Sequence, residues 1–399
     1  MMKNIKIEVF PAKHGDSFLI TCFDEMPIHI LVDMGFADTY RKYIKDRLIT
    51  ISQNGGKLDL LVFTHIDVDH IQGGIAFLKE NGGAEEAKII QVGEIWYNAY
   101  RHISPGRMHS TLSKKQTDKL EAYAICGIRE EEFLENQPIG GRKGSVLGAL
   151  ILKGNYNWNK QFANKAIYMN EDNLQRNFGN VIIELLSPNE EDLARLEKEW
   201  KRKLEMLGFD SITSDPLFDD AFEVMTSNKL PELVSKKSKP ISAKEKDLQE
   251  YASEDVELEN DAVNSSCISF ILEFNNKRLL FLADAPSRRI CENLKQYYNE
   301  NLSFFDAIKI SHHGSSSSTD NELLRLIDSN NFIISTNGNI FNHPDIETIA
   351  KIVCRKVINK RNLFFNYKKS AVIANNSEWK EKYQYEVNDP NGNIVEIEI

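Results

Sequence analysis

The residue types best suited to chemistry are concentrated in the stretch Thr64-His65-Ile66-Asp67-Val68-Asp69-His70. It follows a continuous apolar run, LDLLVFTH, which is typical of a strand buried on both faces. If the chain stays extended, side chains 65, 67 and 69 lie on one side, and a turn into the following helix brings His70 beside them. Burying carboxylates so close together costs free energy unless a cation neutralises their repulsion. With only nine histidines in the chain, the stretch predicts a metal site rather than a polar surface loop.

Other ligand-type side chains follow short apolar runs further along the chain. Asp284 ends FLAD, His312 and His313 follow IKIS, and His343 follows IISTNG. Taken singly, each of these residues would be interpreted as an ordinary turn or surface residue. Taken together, they fit an α/β sheet that presents its functional residues at one edge.

The elements that would position these residues alternate between strand and helix. The patterns predict paired strands over the first 35 residues, a strand over 88–98, helices over 39–56 and 71–81, and hairpins over 266–284 and 382–399, the last around Asn391-Gly392. The clearest helix covers 187–208, with Ser187 as its N-terminal cap. This alternation predicts a layered α/β protein.

Composition bounds the function classes. Of 399 residues, 41% are hydrophobic, so the chain can bury a core and is neither fibrous nor wholly disordered. The chain contains no run of about 18 apolar residues, so the sequence predicts no membrane span. The polar N-terminus favours retention in the cytoplasm. Five scattered cysteines indicate free thiols rather than disulfides or a zinc–thiolate site. A net charge of −10 argues against a protein that coats nucleic acid by charge alone, but not against an enzyme acting on it.

The middle of the chain has a different composition. Residues 101–165 hold 11 Lys and Arg against 6 Asp and Glu, a net charge of +5, with Tyr100, Tyr156 and Trp158 interleaved. Such a stretch suits a phosphate-containing substrate, with nucleic acid as the leading case, and the alternative is an ordinary solvated face. The charged range 235–262 predicts a solvated surface segment. The segment 140–145, GGRKGS, lacks the pattern of a phosphate-binding P-loop and is interpreted as a flexible loop.

Seven motifs, in order, carry a resemblance to a known family. They are HGDSFLI, ILVDMG, THIDVDHIQGG, NSSCISFILEF, LLFLADA, IKISHHGS and NHP, and the likeness covers about residues 1–98 and 263–375. The series resembles the metallo-β-lactamase fold superfamily, and within it the branch that contains the domain of bacterial DNA-uptake (competence) channels and the phosphorylcholine esterases. The resemblance implies an αββα sandwich of the α/β class. Its hydrolase core would cover 1–98 and 263–399, with a large, partly helical insertion over 99–262 that also holds flexible charged segments.

The resemblance also implies a dinuclear metal site. Its ligands would be His65 and Asp67 for one ion and Asp69 and His70 for the other, with Asp284 as the bridge and His312, His313 and His343 as candidates for the remaining positions. Three further residues would support these ligands from behind or at the edge of the site: Asp33, Asp16 and Asn264.

The chain departs from the commonest family pattern at two positions. Asp67 stands where many members have His, and Asn264 lies in a stretch where many have another His. More oxygen and less imidazole shifts the metal preference from zinc toward harder cations, so Mn²⁺ is expected first, with Zn²⁺ retained and Mg²⁺ as the third candidate. Because adjacent extended residues point to opposite sides, only one of His312 and His313 is expected to be a direct ligand.

Two cations held close together favour hydrolysis by an activated water. Asp69 is the candidate to orient that water, and His312 or His343 is the candidate general acid. The leading hypothesis is a metal-dependent phosphodiesterase, and more narrowly a nuclease. One alternative is a hydrolase of a small ester, lactone or phosphodiester, with the insertion as a lid. The other is a component of a bacterial defence or stress system whose activity depends on a protein that binds the 99–262 insertion.

Overall fold

The computed structural model describes residues 4–104, 114, 147–206, 222, 247–298, 301–356, 360–390 and 394–399. Its strands are β1 Ile5–Val9, β2 Phe18–Cys22, β3 Ile28–Val32, β4 Leu58–Val62, β5 Val92–Trp96, β6 Gln175–Phe178, β7 Val181–Ser187, β8 Ser269–Phe274, β9 Lys277–Phe281, β10 Ser303–Phe305, β11 Ala307–Lys309, β12 Ile327–Ser329, β13 Asn331–Ile334, β14 Arg361–Phe365, β15 Tyr385–Asn388 and β16 Val395–Glu398. Its helices and helical turns are Ala37–Thr39, Tyr40–Ile44, Lys45–Gln53, Val68–Asn81, Tyr100–Ile103, Leu147–Lys153, Lys160–Phe162, Glu171–Asn173, Glu190–Met206, Leu248–Ala252, Ala262–Ser265, Ser287–Tyr298, Ser311–Gly314, Asn321–Leu326, Ile346–Val353, Lys368–Ala371, Val372–Ala374 and Ser377–Tyr383.

Two large sheets hold most of the strands. The first has six strands in the order β16-β1-β2-β3-β4-β5, antiparallel from β16 to β3 and parallel from β3 to β5. The second has eight strands in the order β15-β14-β13-β11-β9-β8-β7-β6. It is parallel from β15 to β9 and antiparallel from β9 to β6. β10 and β12 form a separate parallel pair.

The two sheets pack face to face, and the period-two pattern of their strands explains why. In β3, Ile30 enters the core between the sheets, whereas Leu31 faces the outer side. In β8, Phe270 enters the same inner core, whereas Ile271 faces the opposite outer side. Each sheet therefore has two apolar faces, one for the other sheet and one for helices.

Helices cover the outer faces of both sheets. Val68–Asn81 contributes Phe77 to the core outside the first sheet, and Ile346–Val353 contributes Ile349 to the core outside the second. The order of layers is helix, sheet, sheet, helix, so the predicted αββα sandwich is confirmed. Among the described residues, no helix combines the length and the apolarity that crossing a bilayer requires.

The range 99–262 contributes to the sandwich. β6 and β7 lie inside it and pair next to β8 at one end of the second sheet. The helix Glu190–Met206 buries its apolar stripe, with Trp200 at its middle, in the core outside the first sheet. The remaining predictions for this range lie outside the described residues. They concern the loop 140–145, most of the basic stretch 101–165 and the first part of 235–262.

Two local predictions are wrong. The C-terminal range does not form a hairpin, because β15 pairs with β14 in the second sheet and β16 pairs with β1 in the first. The intended turn at Asn391-Gly392 lies outside the described residues. Ser187 does not cap the following helix, because it is the last residue of β7 and its hydroxyl donates to the carbonyl of Cys267 at 2.7 Å. Asn189 takes that place, with Oδ1 accepting from the backbone N–H of Asp192 at 2.9 Å.

Candidate metal centre

The loop after β4 brings four predicted ligands to one edge of the sandwich. β4 ends at Val62, and the helix Val68–Asn81 begins directly after Asp67. The rings of His65 and His70 are buried, with centroids 4.1 Å apart. Oδ2 of Asp67 lies 3.6 Å from Nε2 of His65. The strand folds this way because its apolar residues are buried on both faces, which leaves the polar residues at its carboxyl end.

Asp284 lies at the centre of the site. It comes three residues after β9 ends at Phe281. Its Oδ2 lies 3.9 Å from Nε2 of His65, 3.5 Å from Nε2 of His70 and 3.3 Å from Nε2 of His313. The two sheets thus meet at one carboxylate oxygen that faces three imidazole nitrogens.

Asp69 lies on the more open side of this cluster. Its Oδ1 is 4.0 Å from Nε2 of His70, and its Oδ2 is 3.7 Å from Nε2 of His313. Nε2 of His14 lies 3.9 Å from the same Oδ2. His14 is a residue that the sequence analysis missed, since the HGD motif drew attention to Asp16 alone.

Four overlapping groups of side chains could each hold a metal ion, because one potential ligand atom from each member lies within 4.8 Å of the others. The groups are His65, His70 and Asp284; Asp69, His70 and His313; Asp16, Asp33 and His70; and Asp16, Asp284 and His313. Ligands about 2.1 Å from a shared ion are separated by roughly 3–3.5 Å, so the spacings of 3.3–3.9 Å around Asp284 are close to those of a coordination shell.

Buried polar atoms provide an independent test of whether a cation fits. Nε2 of His65, Nε2 of His70, and Oδ1 of Asp67 and Asp284 are all buried, yet they have no hydrogen-bond partner among the described residues. Leaving such an atom unsatisfied costs about 1–3 kcal/mol, and more when the group is charged. These nitrogen and oxygen atoms carry lone pairs and face one another across less than 4 Å, an arrangement that suits coordination of a divalent cation.

Asp33 supports the cluster from behind. Its Oδ1 accepts from the backbone N–H of Thr64 at 2.8 Å, and its Oδ2 accepts from Nδ1 of His70, also at 2.8 Å. Because a carboxylate can only accept here, Nδ1 of His70 carries the hydrogen and Nε2 faces Asp284. This is the geometry by which a carboxylate orients a metal-binding histidine.

Lys309, which the sequence analysis also missed, lies beneath the cluster. It is the last residue of β11 and is fully buried. Its ammonium group forms an ion pair with Asp16, donates to the carbonyl of Ala283 at 2.8 Å, and lies 3.6 Å from Oδ1 of Asp284. Burial would lower the pKa of Lys309, but Asp16 and Asp284 raise it above its ordinary value. Lys309 therefore remains charged and compensates part of the buried negative charge.

The pKa values of the cluster reflect this concentration of carboxylates. Burial disfavours a charged imidazole, yet Asp284 and Asp16 raise the pKa of His313 to about 10. Burial also disfavours an ionised carboxylate, yet His313 and His70 hold the pKa of Asp284 well below its usual range. The site therefore favours positive charge strongly enough to overcome burial, which is the property that a divalent cation would use.

His312 faces a different carboxylate from the one that His313 faces. Its Nδ1 donates to Oε2 of Glu259 at 2.6 Å, and Oε1 of Glu259 accepts from Nδ2 of Asn264 at 2.6 Å. His312 and Asn264 belong to none of the four candidate metal groups. Glu259 lies in the charged range for which the sequence analysis found no function.

His343 also lies outside the four groups. Its ring centroid is 5.7 Å from that of His312, and its Nδ1 is 3.5 Å from Oδ1 of Asp345. The ring of Phe341 stacks beside it with centroids 6.0 Å apart, and Phe341 is 38% exposed. Burial lowers the pKa of His343, although Asp345 opposes that change. His343 thus lies at the mouth of the site rather than at its centre.

The backbone is unusual where these side chains are placed. Asp33, Ala283, His312 and His313 all have positive φ angles, of 54°, 47°, 45° and 55°. Non-glycine residues rarely adopt this conformation, and it persists where the surrounding structure enforces it, often at functional sites. Gly15 makes a close approach, because a Cβ atom there would lie 1.8 Å from the carbonyl oxygen of Asp69.

Comparison with known proteins gives similarity at the level of solved structures. No family model and no curated protein matches it. The crystal structure of the metallo-beta-lactamase fold protein YhfI from Bacillus subtilis aligns with 99% of this chain and 100% of that chain, at 11% identity and a TM-score of 0.38. A CmlA beta-hydroxylase mutant aligns with 100% of this chain and 54% of that chain, at 9% identity and a TM-score of 0.35. At these values the fold is established by the sheet topology itself, and the likeness to the DNA-uptake and phosphorylcholine esterase branch stays a prediction.

Proposed function

We propose that this protein is a metal-dependent hydrolase with a dinuclear site, and that it cleaves phosphodiesters, with nucleic acid as the leading substrate. The observation that carries the proposal is the position of Asp284, whose Oδ2 lies within 3.9 Å of three imidazole nitrogens while its Oδ1 is buried without a hydrogen bond from the described residues. Mn²⁺ is the first candidate cation, Zn²⁺ the second and Mg²⁺ the third, because the donors mix carboxylate and imidazole.

The family resemblance suggests one division of the ligands between two ions. The distances alone leave His70 beside both His65 and His313, and Asp67 belongs to none of the four candidate groups. His65 and Asp67 would hold the first ion, Asp69, His70 and His313 the second, and Asp284 both. Such a pair of ions supplies an activated water at neutral pH and neutralises charge on the oxygens of a phosphoryl group. Asp16 and Asp33 would support the ligands.

The chain's own side chains would divide the remaining tasks. Asp69 would orient an attacking water, because its side chain is 16% exposed and lies on the more open side of the cluster. His312 lies beside the cluster but belongs to none of the candidate metal groups. Its Nδ1 donates to Glu259, so Nε2 would donate to an oxygen of the substrate in the imidazolium form, in which both ring nitrogens carry hydrogen. His343, further out, is the second candidate to protonate the leaving group.

The mouth of the site supports a substrate with a planar group beside its phosphate. Phe341 presents an exposed ring there. The ring of His14 contacts both Phe341 and Phe36, with ring centroids 5.9 and 4.8 Å apart. Aromatic rings of this kind stack on nucleobases without regard to sequence. Tyr100, Tyr156 and Trp158, which the sequence analysis counted with the basic stretch 101–165, are buried in the core outside the first sheet and cannot stack on a substrate. Only the basic residues of that stretch would add attraction for phosphate.

One observation favours the reading in which a protein partner controls the enzyme. Arg195, on the helix Glu190–Met206, donates to Oδ1 of Asn260 at 2.5 Å and to the carbonyl of Asp261 at 2.9 Å. Asn260 directly follows Glu259, which binds His312. A protein that binds the 99–262 range could therefore act on the site through this helix.

We place the enzyme in the cytoplasm, because the four described cysteines are free thiols and three of them are buried.

The test is a panel of substrates with each candidate metal. Purified protein loaded with Mn²⁺, Zn²⁺ or Mg²⁺ would be assayed on labelled single- and double-stranded DNA and RNA, on bis-p-nitrophenyl phosphate and on p-nitrophenyl acetate. We expect cleavage of nucleic acid and of the phosphodiester, and loss of both in Asp284→Ala and His70→Ala proteins that still fold. Turnover of the small phosphodiester alone would remove the nuclease assignment, and turnover of the acetate alone would remove phosphodiesters altogether.

A further inference from the structure

Glu259 is fixed in position by both of its carboxylate oxygens. Oε2 accepts from Nδ1 of His312 at 2.6 Å and from the hydroxyl of Ser318 at 2.7 Å. Oε1 accepts from Nδ2 of Asn264 at 2.6 Å. The side chain is only 13% exposed, and the backbone N–H of Glu259 donates to the carbonyl of Ser317 at 3.0 Å. These contacts hold the carboxylate of Glu259 in one orientation.

The segment after Glu259 is fixed as well. Arg195 donates to the side chain of Asn260, to the carbonyl of Asp261 and to the hydroxyl of Ser265, at 2.5, 2.9 and 2.5 Å. The side chain of Asp261 caps the short helix Ala262–Ser265. The carboxylate of Glu259 is therefore presented from a rigid support.

His312 is held from two directions. Its backbone N–H donates to the carbonyl of Ala283 at 3.0 Å, next to Asp284. Its ring lies 5.8 Å from that of His313 and 5.7 Å from that of His343, measured between centroids. The two nitrogens of an imidazole lie on opposite edges of the ring, so the bond from Nδ1 to Glu259 leaves Nε2 facing away from Glu259.

We propose that Glu259 is a positioning residue for the reaction: by accepting the hydrogen bond from Nδ1 of His312, it fixes the orientation of that ring so that Nε2 is available to an oxygen of the substrate. Glu259 belongs to none of the candidate metal groups, and its carboxylate would act only through His312. The role of Nε2 rests on the proposed hydrolase function, whereas the hold of Glu259 on the ring does not.

Glu259 could instead serve stability alone, by joining Asn264 to Ser318. The two roles make different predictions for combined variants. If Glu259 acts through His312, its removal has no further effect once His312 is gone. If it serves stability alone, its effects are independent of His312.

The first experiment tests the contact without any turnover. In metal-free protein labelled with ¹⁵N-histidine, nuclear magnetic resonance should show a slowly exchanging, low-field Nδ1–H proton of His312, identified by its absence from His312→Ala. We expect Glu259→Ala to lose this signal, Glu259→Gln to shift it, and Glu257→Gln to leave it unchanged, because Glu257 is exposed in the same segment. A signal that persists unchanged in both Glu259 variants would overturn the proposal.

The second experiment tests the consequence for the reaction. With bis-p-nitrophenyl phosphate and saturating Mn²⁺, Glu259→Ala and Glu259→Gln should lower kcat about 10- to 100-fold with little change in KM. Glu257→Gln should retain full activity. The double variant Glu259→Ala/His312→Ala should be no slower than His312→Ala, and losses that multiply would overturn the proposal. If wild-type protein cleaves no phosphodiester, the proposed function fails, and the resonance signal alone decides whether Glu259 positions His312.

Discussion

Asp33 sets the orientation of two histidine rings through one carboxylate oxygen, since its Oδ2 accepts directly from Nδ1 of His70 at 2.8 Å and from the hydroxyl of Thr64 at 2.7 Å. That hydroxyl has a single hydrogen, so Oγ1 of Thr64 must accept from Nδ1 of His65, 3.0 Å away. Both rings therefore carry hydrogen on Nδ1 and present Nε2 to Asp284. Asp33 lies in the ILVDMG motif. It acts on the Nδ1 side of both rings and does not contact the Nε2 atoms that face Asp284.

Replacing Asp33 by Asn should weaken metal binding without removing any ligand. The amide can donate as well as accept, so it no longer enforces hydrogen on Nδ1 of both rings. We expect the affinity for Mn²⁺ or Zn²⁺ to fall about 10- to 100-fold, measured by calorimetric titration of metal-free protein. Asp38→Asn is the control, because its carboxylate lies near the surface, 3.3 Å from Lys42. Equal affinities for both variants would contradict the role of Asp33.

The buried ion pair beneath the site makes a prediction about stability. Lys309→Met leaves Asp16 buried without its main cation, so metal-free protein should lose about 3–5 kcal/mol of unfolding free energy. Lys277→Met is the control, because the ion pair of Lys277 with Asp306 is 43% exposed at the lysine and should be worth at most about 1 kcal/mol. Urea unfolding measures both values. Asp16→Asn added to Lys309→Met should recover part of the loss, and an additive loss would exclude the pairing.

Gly15 makes a prediction about packing against the loop that carries the ligands. In Gly15→Ala, the added Cβ would meet the carbonyl of Asp69 at 1.8 Å, so the loop around Asp69 must move. We expect weaker binding of Mn²⁺ and a cost of about 1–3 kcal/mol in stability, as for other overpacked sites. Gly83→Ala should be tolerated, because its nearest atom would be the carbonyl oxygen of Gly154 at 3.7 Å. Unchanged metal affinity in Gly15→Ala would show that the contact has no role at the site.

Glu94 makes a prediction about pH that is independent of the metal site. Burial raises the pKa of Glu94, although its carboxylate accepts from the backbone N–H of Gln161 at 2.9 Å and the indole of Trp96 at 3.2 Å. The folded state therefore binds the proton more tightly than the unfolded state, whose glutamate pKa is about 4.3. That stabilisation is complete below about pH 4.3 and is lost as pH rises through the folded value.

The Glu94→Gln variant removes this dependence. Its melting temperature relative to wild type should be higher at pH 8 than at pH 5, measured by calorimetry of the metal-free proteins. Glu184→Gln is a control on the edge of the same sandwich, where the side chain pairs with Gln175 near the surface. A difference between Glu94→Gln and wild type that does not change with pH would contradict the prediction.

The fold could be predicted where each strand has its own pattern. β1 to β4 alternate or run continuously apolar, and these patterns reflect the two apolar faces that each sheet buries. The prediction of a C-terminal hairpin was wrong because it concerned strand pairing, which the pattern of a single strand does not encode. β15 and β16 have ordinary strand patterns, but β15 pairs with the preceding strand β14 and β16 pairs with β1 at the other end of the chain. Local periodicity carries no information on which sheet a strand joins.

The site could be predicted where several chemical groups are close in sequence, or where a ligand-type residue closely follows an apolar strand, as Asp284 and His313 do. The stretch from His65 to His70 supplies four such groups, whereas Lys309 and Glu259 are single residues that gain meaning from contacts across the fold. Lys309 does give one local signal, since a lysine inside the apolar run AIKI must be paired if that strand is buried. Glu259 gives none, because the surrounding acidic residues hide it.

The division of the ligands between the sheets has a consequence for assembly. His65 and His70 follow a strand of the first sheet, while Asp284 and His313 follow strands of the second, so neither part of the chain holds the complete set of candidate ligands alone. A protein cut between residues 206 and 247 would yield two fragments, each with an incomplete set of donors. Recovery of tight metal binding on mixing them would then act as a chemical reporter of correct reassembly.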